Sequence, residues 1–240
     1  LSYQKEMEKN YKRTEIYREK RQDTKYMFIW LCDKVEKINY KKECILDVGC
    51  ASGDFLEYFS KRFPRTTCTG LEFDKTLVEI GNKRSKENYF IIEGDANRMP
   101  QIENMSQDIV FMTGTHSIFE DFKSSFIELI RILKPGGVAL ITGFFNDHDL
   151  DAKIYWRYPE NKKGNWHPGY NLFSKKSVSN FLNSTKDIHD YNFEKFHLPF
   201  KLEKQDDPVR SWSEEDKDGN LYLRNGIMPL NFQLLTIKKK

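Results

Sequence analysis

At 240 residues, with 38% hydrophobic and 31% charged side chains, the chain has length for one full-sized α/β domain and an added cap. The 39 basic and 36 acidic residues leave a net charge of +3, too balanced for a nucleic-acid binder that relies on phosphate contacts. No apolar run approaches the roughly 20 residues of a membrane span, Leu1–Arg21 is too charged for a secretory signal, and Cys32, Cys44, Cys50 and Cys68 contain no C-x-x-C pair. These features point to a cytoplasmic protein with reduced thiols.

In chain order, residues 2–38 read as helix in two pieces, with Met27, Phe28, Leu31, Val35 and Ile38 on one apolar face. Cys44–Val48 is a buried strand, Gly49–Gly53 a tight turn, and Phe55, Leu56, Phe59 and Phe63 mark a helix ended by Pro64. The alternation continues with strand 68–72, helix 77–84, strand 89–93, strand 108–113, helix 122–133, a Lys134-Pro-Gly-Gly137 stop and turn, and strand 138–143. Short apolar strands between amphipathic helices predict a parallel sheet covered on both faces. Beyond residue 145 the pattern breaks. Asn146–Phe173 is rich in aromatic residues, Pro, Gly and Asn; Ser174 starts a helix to Leu182 as its N-cap; 193–198 and 232–237 are late strands; 199–229 is long, polar and irregular.

The strongest motif is Ile45-Leu-Asp-Val-Gly-Cys-Ala-Ser-Gly53, a strand, a D-x-G-x-x-x-G turn and a helix start. Glycines let a ligand approach the backbone, and the helix N-terminus offers free N–H groups. A dinucleotide fingerprint would need glycine where Ala51 and Asp54 stand, which disfavours an NAD oxidoreductase. Asp47 would repel a pyrophosphate and suits a ligand carrying an ammonium group. An acid about 20–25 residues past such a turn is placed to accept bonds from ribose hydroxyls, and Glu72 is that acid.

Residues 44–143 resemble the core of class I S-adenosylmethionine-dependent methyltransferases. Asp47, Gly49 and Gly53, with Cys50 and Ala51 between the glycines, match the first motif; Glu72, in Gly70-Leu-Glu-Phe-Asp74, matches the ribose-binding acid, with Phe73 beside it. Gly94-Asp-Ala96 matches the motif whose acid, here Asp95, caps the adenine amino group, with Ala96 adjoining. Strand 108–113 leads through Thr113 into the loop beside the transferred methyl, and Leu129–Gly137 matches the helix and turn before the fifth strand. The resemblance implies a Rossmann-like, three-layer αβα fold with a seven-stranded sheet, last strand antiparallel, and a cap inserted after the fifth strand. It implies S-adenosyl-L-methionine as cofactor, its carboxylate held by Arg21 or Lys25, of which Arg21 is our choice. Domain organisation follows as a helical segment 1–42, a cofactor-binding core 43–145, and acceptor cap plus last two strands 146–240.

Many members of that family carry a histidine where this chain has Ile118; here the histidine is His116, two positions earlier. His116 and His167 are the candidate bases if the acceptor is a hydroxyl. Arg157, Trp166, Tyr170, Arg210 and Trp212 combine aromatic walls with oxyanion-binding groups and are the candidate acceptor residues. Asn146-Asp-His-Asp-Leu-Asp151 meets no metal-ligand spacing rule, so no metal is assigned. The expectation is O-methylation of a small polar acceptor, a sugar or phosphate-type group of a surface-polysaccharide precursor, by a monomer or homodimer with no nucleic-acid partner. Alternatives are a protein or tRNA methyltransferase, or a non-catalytic cofactor binder.

Overall fold

Five apolar runs in the first 146 residues become the parallel part of one sheet in the computed structural model, which describes residues 16–20, 22–38, 41–85, 88–159 and 166–240. They are β1 (Cys44–Val48), β2 (Thr67–Glu72), β3 (Phe90–Glu93), β4 (Gln107–Thr113) and β5 (Leu133–Asn146). β9 (Ile188–Lys195) and β12 (Phe232–Lys239) complete the order β3-β2-β1-β4-β5-β12-β9, with β8 (Phe173–Ser174) paired to the end of β5. β12 runs antiparallel to both neighbours, as expected for the last strand.

Period-two alternation splits the strands between two cores. Ile45, Ile109, Phe111, Val138 and Leu140 face α1 (Tyr26–Lys37) and α2 (Asp54–Arg62). Leu46, Val48, Val110, Met112 and Ile141 face α4 (Lys123–Ile132) and α5 (Lys175–Ser184). α3 (Lys75–Ser85) connects β2 to β3. Sheets covered on both faces bury whole strands, which is why these segments read as continuous apolar runs. Ser174 caps α5 as expected, its hydroxyl accepting the Ser177 N–H at 3.0 Å.

Three expectations change. The N-terminal helix begins only at Tyr26, after an extended Lys25; 16–19 form a turn and bend, and 1–15 lie outside the described residues. The Lys134–Gly137 turn is absorbed into β5, which starts at Leu133 directly after α4. Lys239 Nζ donates to the Ile130 and Leu133 carbonyls at 2.8 and 2.9 Å, capping the helix end, and Gly136 at φ 79° takes up the kink. The stretch 199–229 holds a hairpin, β10 (Trp212–Glu215) with β11 (Leu221–Arg224). Its turn is closed by Asp216, which accepts the Asp218 and Asn220 N–H groups at 2.9 Å. A smaller ribbon pairs β6 (Tyr155–Trp156) with β7 (His167–Pro168).

Candidate functional site

A cavity of about 240 Å³ lies at the carboxyl ends of β1, β2, β3 and β4, where parallel sheets bind ligands. The turn after β1, the ends of β2 and β4 and the loops that follow β3 and β4 form its wall, and Tyr17, Lys25 and Phe28 close it from the N-terminal side.

The turn is shaped by backbone that few residues tolerate. Gly49 sits at φ 76°, and a Cβ there would lie 2.3 Å from Thr115 Oγ1. Gly53 caps α2 at φ 84°, where a Cβ would meet the Tyr89 ring at 2.7 Å. Ala51 adopts φ 52°, a left-handed conformation costly for a residue with a Cβ. Its N–H donates to Glu72 Oε2 at 2.8 Å, while Glu72 Oε1 accepts from Phe73 N and Asp74 N, both at 2.9 Å. Three backbone donors thus aim the Glu72 carboxylate and leave about one of its four lone-pair directions free. Burial pushes its carboxyl upward against those bonds.

Asp47 is the buried carboxylate of the wall. It is 3% exposed, and among the described residues its Oδ1 has no hydrogen-bond partner. Burial, then the neighbouring Glu72, raise its pKa to about 7, with Lys25 opposing. A buried carboxylate with an unpartnered oxygen on a cavity wall is chemically suited to a cationic group. Thr113 Oγ1 is likewise buried without a partner. After β3, Asp95 Oδ1 accepts the Asn97 N–H at 2.9 Å, fixing the loop that contains Ala96. Cys50 is buried on the wall, its thiol pushed far up by burial, and Phe73 is 37% exposed at the margin.

The comparisons with known proteins bear on the domain and its fold. Residues 46–141 match a family described as methyltransferase domain. The chain is 25% identical over 139 residues to malonyl-[acyl-carrier protein] O-methyltransferase of Priestia megaterium, covering 56% of this chain and 50% of that protein. It is 32% identical over 98 residues to demethylmenaquinone methyltransferase of Staphylococcus aureus, covering 40% of each. The chain therefore spans half or less of the length of these relatives. In structure, the YcgJ protein of Bacillus subtilis superposes with a TM-score of 0.61 at 17% identity, over 90% of this chain and 99% of that one. Haemonchus contortus phosphoethanolamine N-methyltransferase 2, solved with S-adenosyl-L-methionine, gives 0.54 at 18% identity, over 70% and 38%. At such identities the two structures speak for the fold.

Residues 46–141 carry a methyltransferase domain on the fold of the class I S-adenosylmethionine-dependent methyltransferases.

S-adenosylmethionine is the cofactor of the family, and the wall suits it. The orphaned Asp47 oxygen is compatible with its positive charge, and a side chain at position 49 would collide with Thr115 in the turn. The expected cofactor residues Asp47, Gly49, Cys50, Ala51, Glu72, Phe73, Asp95, Ala96 and Thr113 all line one cavity, while Gly53 stands behind it as the α2 cap. Arg21 lies outside the described residues, among which the basic residue on the wall is Lys25. Ile118 and Phe119 also line the cavity. The sequence marks Ile118 only by the histidine it lacks and gives no signal for Tyr17.

The expected catalytic and acceptor residues are not brought there. His116 is fully buried in the core, stacked on Phe145 at 4.6 Å between centroids and 14° between planes. Its Nε2 lies 3.4 Å from the Phe144 carbonyl oxygen, and burial lowers its pKa to about 4. Gly143 makes room for the ring, since a Cβ there would meet it at 2.0 Å. A neutral imidazole enclosed by Phe145, Phe126 and Phe173 is a packing group, which corrects the reading of His116 as a base. His167 is half-buried in the β6–β7 ribbon, 4.9 Å from the Trp156 ring. Arg157 stacks over the exposed Trp166 at 4.8 Å, Arg210 lies 3.9 Å from Asp207, and buried Trp212 donates to Glu214 at 3.0 Å. Tyr170, at φ 61°, sits 5.7 Å from the Phe144 ring. Each of these side chains is engaged within the cap and none lines the cavity. In the acidic run after β5, Asp147 pairs with Lys175 and Lys195, Asp149 with Lys176, and Asp151 accepts from Ser174 N and Ser177 Oγ. Among the described residues no cluster of three metal-ligating side chains occurs, and no helix is long and apolar enough to cross a membrane.

Proposed function

We propose that this chain binds S-adenosylmethionine in the cavity at the strand ends and transfers its methyl group to an ionised oxygen of a small acceptor. A carboxylate or a phosphate-type group, such as a surface-polysaccharide precursor can carry, fits that description. The carrying observation is the buried, unpartnered Asp47 carboxylate beside the Gly49 turn. When bound, the cofactor supplies an activated methyl on a sulfonium; alignment and exclusion of water fall to the protein. Asp47 answers positive charge, Glu72 accepts from a ribose hydroxyl with its free lone pair, and Asp95 and Ala96 border the adenine. The ionised acceptor follows from the imidazoles. Neither His116 nor His167 is on the wall, so a sugar hydroxyl would lack a histidine base there, whereas an anionic oxygen needs none. One relative is named for O-methylation of a malonyl carrier-protein substrate, chemistry of the same kind.

A second reading is an apolar acceptor of the quinone type. Phe28, Ile118 and Phe119 on the wall favour it, and another relative is a demethylmenaquinone methyltransferase.

Calorimetry tests the cofactor. S-adenosylhomocysteine should bind with a micromolar dissociation constant, about −8 kcal/mol; binding of NAD with no response to either sulfur compound would overturn the proposal. Transfer of labelled methyl to carboxylate, phosphate-ester, sugar and quinone acceptors separates the two acceptor readings. Cofactor binding with no transfer to any class would indicate a non-catalytic binder.

A further inference from the structure

Residues 16–20 form a strap across the edge of the cavity, and the way it is fastened involves a residue outside the wall. Tyr17 lines the cavity. Its carbonyl accepts the Ser52 hydroxyl at 2.6 Å. Ser52 is 2% exposed, inside the Gly49–Gly53 turn. Ser52 Oγ in turn accepts an N–H of Arg84, from the last turn of α3, at 3.1 Å. The second terminal nitrogen of the same guanidinium donates to the Arg18 carbonyl. Arg84 therefore grips adjoining strap residues twice, directly at Arg18 and through Ser52 at Tyr17, 66 residues away along the chain from Arg18. Farther along, Lys20 Nζ pairs with Glu57 of α2 at 2.7 Å, and Lys25 lies 5.8 Å from the Tyr17 ring centroid.

The shared element is Ser52. It belongs to the turn whose Ala51 N–H is held by Glu72, and it is the donor to the strap. Anything that holds the turn in place also holds the strap's anchor. Hydrogen bonds in a relay of this kind polarise one another, so the loss of one member weakens the rest.

Resting on the cofactor reading above, we propose that Arg84 is a positioning residue for the cofactor. By fastening Arg18 directly and Tyr17 through Ser52, it couples closure of the strap to occupation of the Gly49–Gly53 turn. Linkage makes the coupling reciprocal: cofactor tightens the strap by the same factor that the fastened strap tightens cofactor. A planar fork suits the task best, because its two terminal nitrogens reach both acceptors at once, whereas a lysine ammonium presents its donors from one compact point.

The test uses the full chain, S-adenosylhomocysteine, and the variants Arg84→Ala and Arg84→Lys. Affinity is read by calorimetry, strap opening by the rate of tryptic cleavage at Arg18 and Lys20 with and without the ligand, and folding by thermal melting. Cleavage of a folded protein there reports local opening. In the wild type, ligand should slow cleavage about tenfold. In Arg84→Ala, affinity should fall about tenfold, within the range typical of coupled sites, and ligand should give less than about twofold protection at those two bonds. Arg84→Lys should recover part of both effects, which also covers the case in which the alanine variant melts early. If the wild type binds and both variants bind within twofold of it with full protection, the coupling is wrong while the cofactor reading stands. If the wild type does not bind, the cofactor reading fails and this proposal with it.

Discussion

Residues 43–145 and residues 146–240 hold their polar side chains in different ways. In the first region Asp47, Glu72 and Asp95 converge on one cavity from three successive strands, and one of them keeps a carboxylate oxygen without a partner. In the second, the acidic side chains that drew attention are paired, Asp147 with Lys175 and Lys195, Asp149 with Lys176 and Glu214 with Arg224, and none of them lines the cavity. Unsatisfied polar groups are costly when buried, so an orphaned oxygen on a cavity wall points to a ligand, whereas the orphaned His116 Nδ1, Trp156 Nε1 and Asn225 Nδ2 lie off that wall and carry no such reading. Residue type alone does not separate the two cases, since both regions are rich in Asp, Glu, Lys and Arg.

Substitutions that damage only one region test that contrast, taken here from the largest expected effect on cofactor binding to the smallest. Gly49→Ala places a Cβ against Thr115 at φ 76°. Left-handed strain of about 1–2 kcal/mol plus the collision should lower the melting temperature and weaken S-adenosylhomocysteine binding by about 100-fold or more, equivalent to about 2.7 kcal/mol. Calorimetry and thermal melting read both. Binding within a few-fold of wild type would mean that the turn is not the cradle.

Asp47→Asn keeps the shape and removes the charge, costing about 1.5–3 kcal/mol of a charge-assisted contact. The wild type should also show a pH signature. With the Asp47 pKa near 7, affinity for S-adenosylmethionine should rise as pH passes up through about 7, because the cationic ligand prefers the ionised form. The asparagine variant should show a flatter profile. The ligand-free fold behaves in the opposite sense. A carboxyl whose folded pKa is raised binds more protons folded than unfolded, so its contribution declines as pH climbs from the ordinary carboxylate range to about 7. Melting curves across that interval should show the asparagine variant losing less stability.

Glu72→Ala removes the acceptor for the Ala51, Phe73 and Asp74 N–H groups as well as the contact to ribose. Affinity should fall at least tenfold, about 1.4 kcal/mol, accompanied by a lower melting temperature. Glu72→Gln, able to accept on one oxygen only, should fall between. An unchanged affinity in Glu72→Ala would mean that the ribose is held elsewhere.

At the small end, Arg157→Ala, His167→Ala and Arg210→Ala should leave cofactor affinity within twofold and stability within about 0.5 kcal/mol. His116→Ala should cost about 2–4 kcal/mol of stability as a core truncation, again with cofactor affinity retained. A large loss of cofactor affinity in any of the cap variants would erase the distinction between the two regions.

Much of the core was legible because its signals are local. The run from Ile45 to Gly53 specifies strand, turn and helix start by neighbouring residues, and Glu72 and Asp95 follow at strand ends whose spacing the parallel topology enforces. The cap was legible only in part. Ser174 announced its helix through a side chain three residues from its partner, whereas the β10–β11 hairpin was hidden in a polar stretch that alternates weakly. His116 misled for a physical reason. An imidazole on a loop after β4 has the same composition whether it faces a ligand or stacks on Phe145, and the choice depends on Gly143, which is distant in sequence.

The amino-acid sequence by itself determined the alternation of strands and helices, the two-faced burial of the sheet and the polar groups at the strand ends, because each follows from apolar periodicity and short-range turn chemistry. Tertiary structure decided which polar groups stay unpartnered and which are consumed. It buried His116, left Asp47 exposed to a ligand from the cavity side alone, turned Arg157 onto Trp166, and joined Arg84 to a strap far away in the chain. Apart from the Arg157–Trp166 stack, those outcomes rest on contacts between segments dozens of residues apart, where the competition is between desolvation and pairing, and no local pattern records which one prevails.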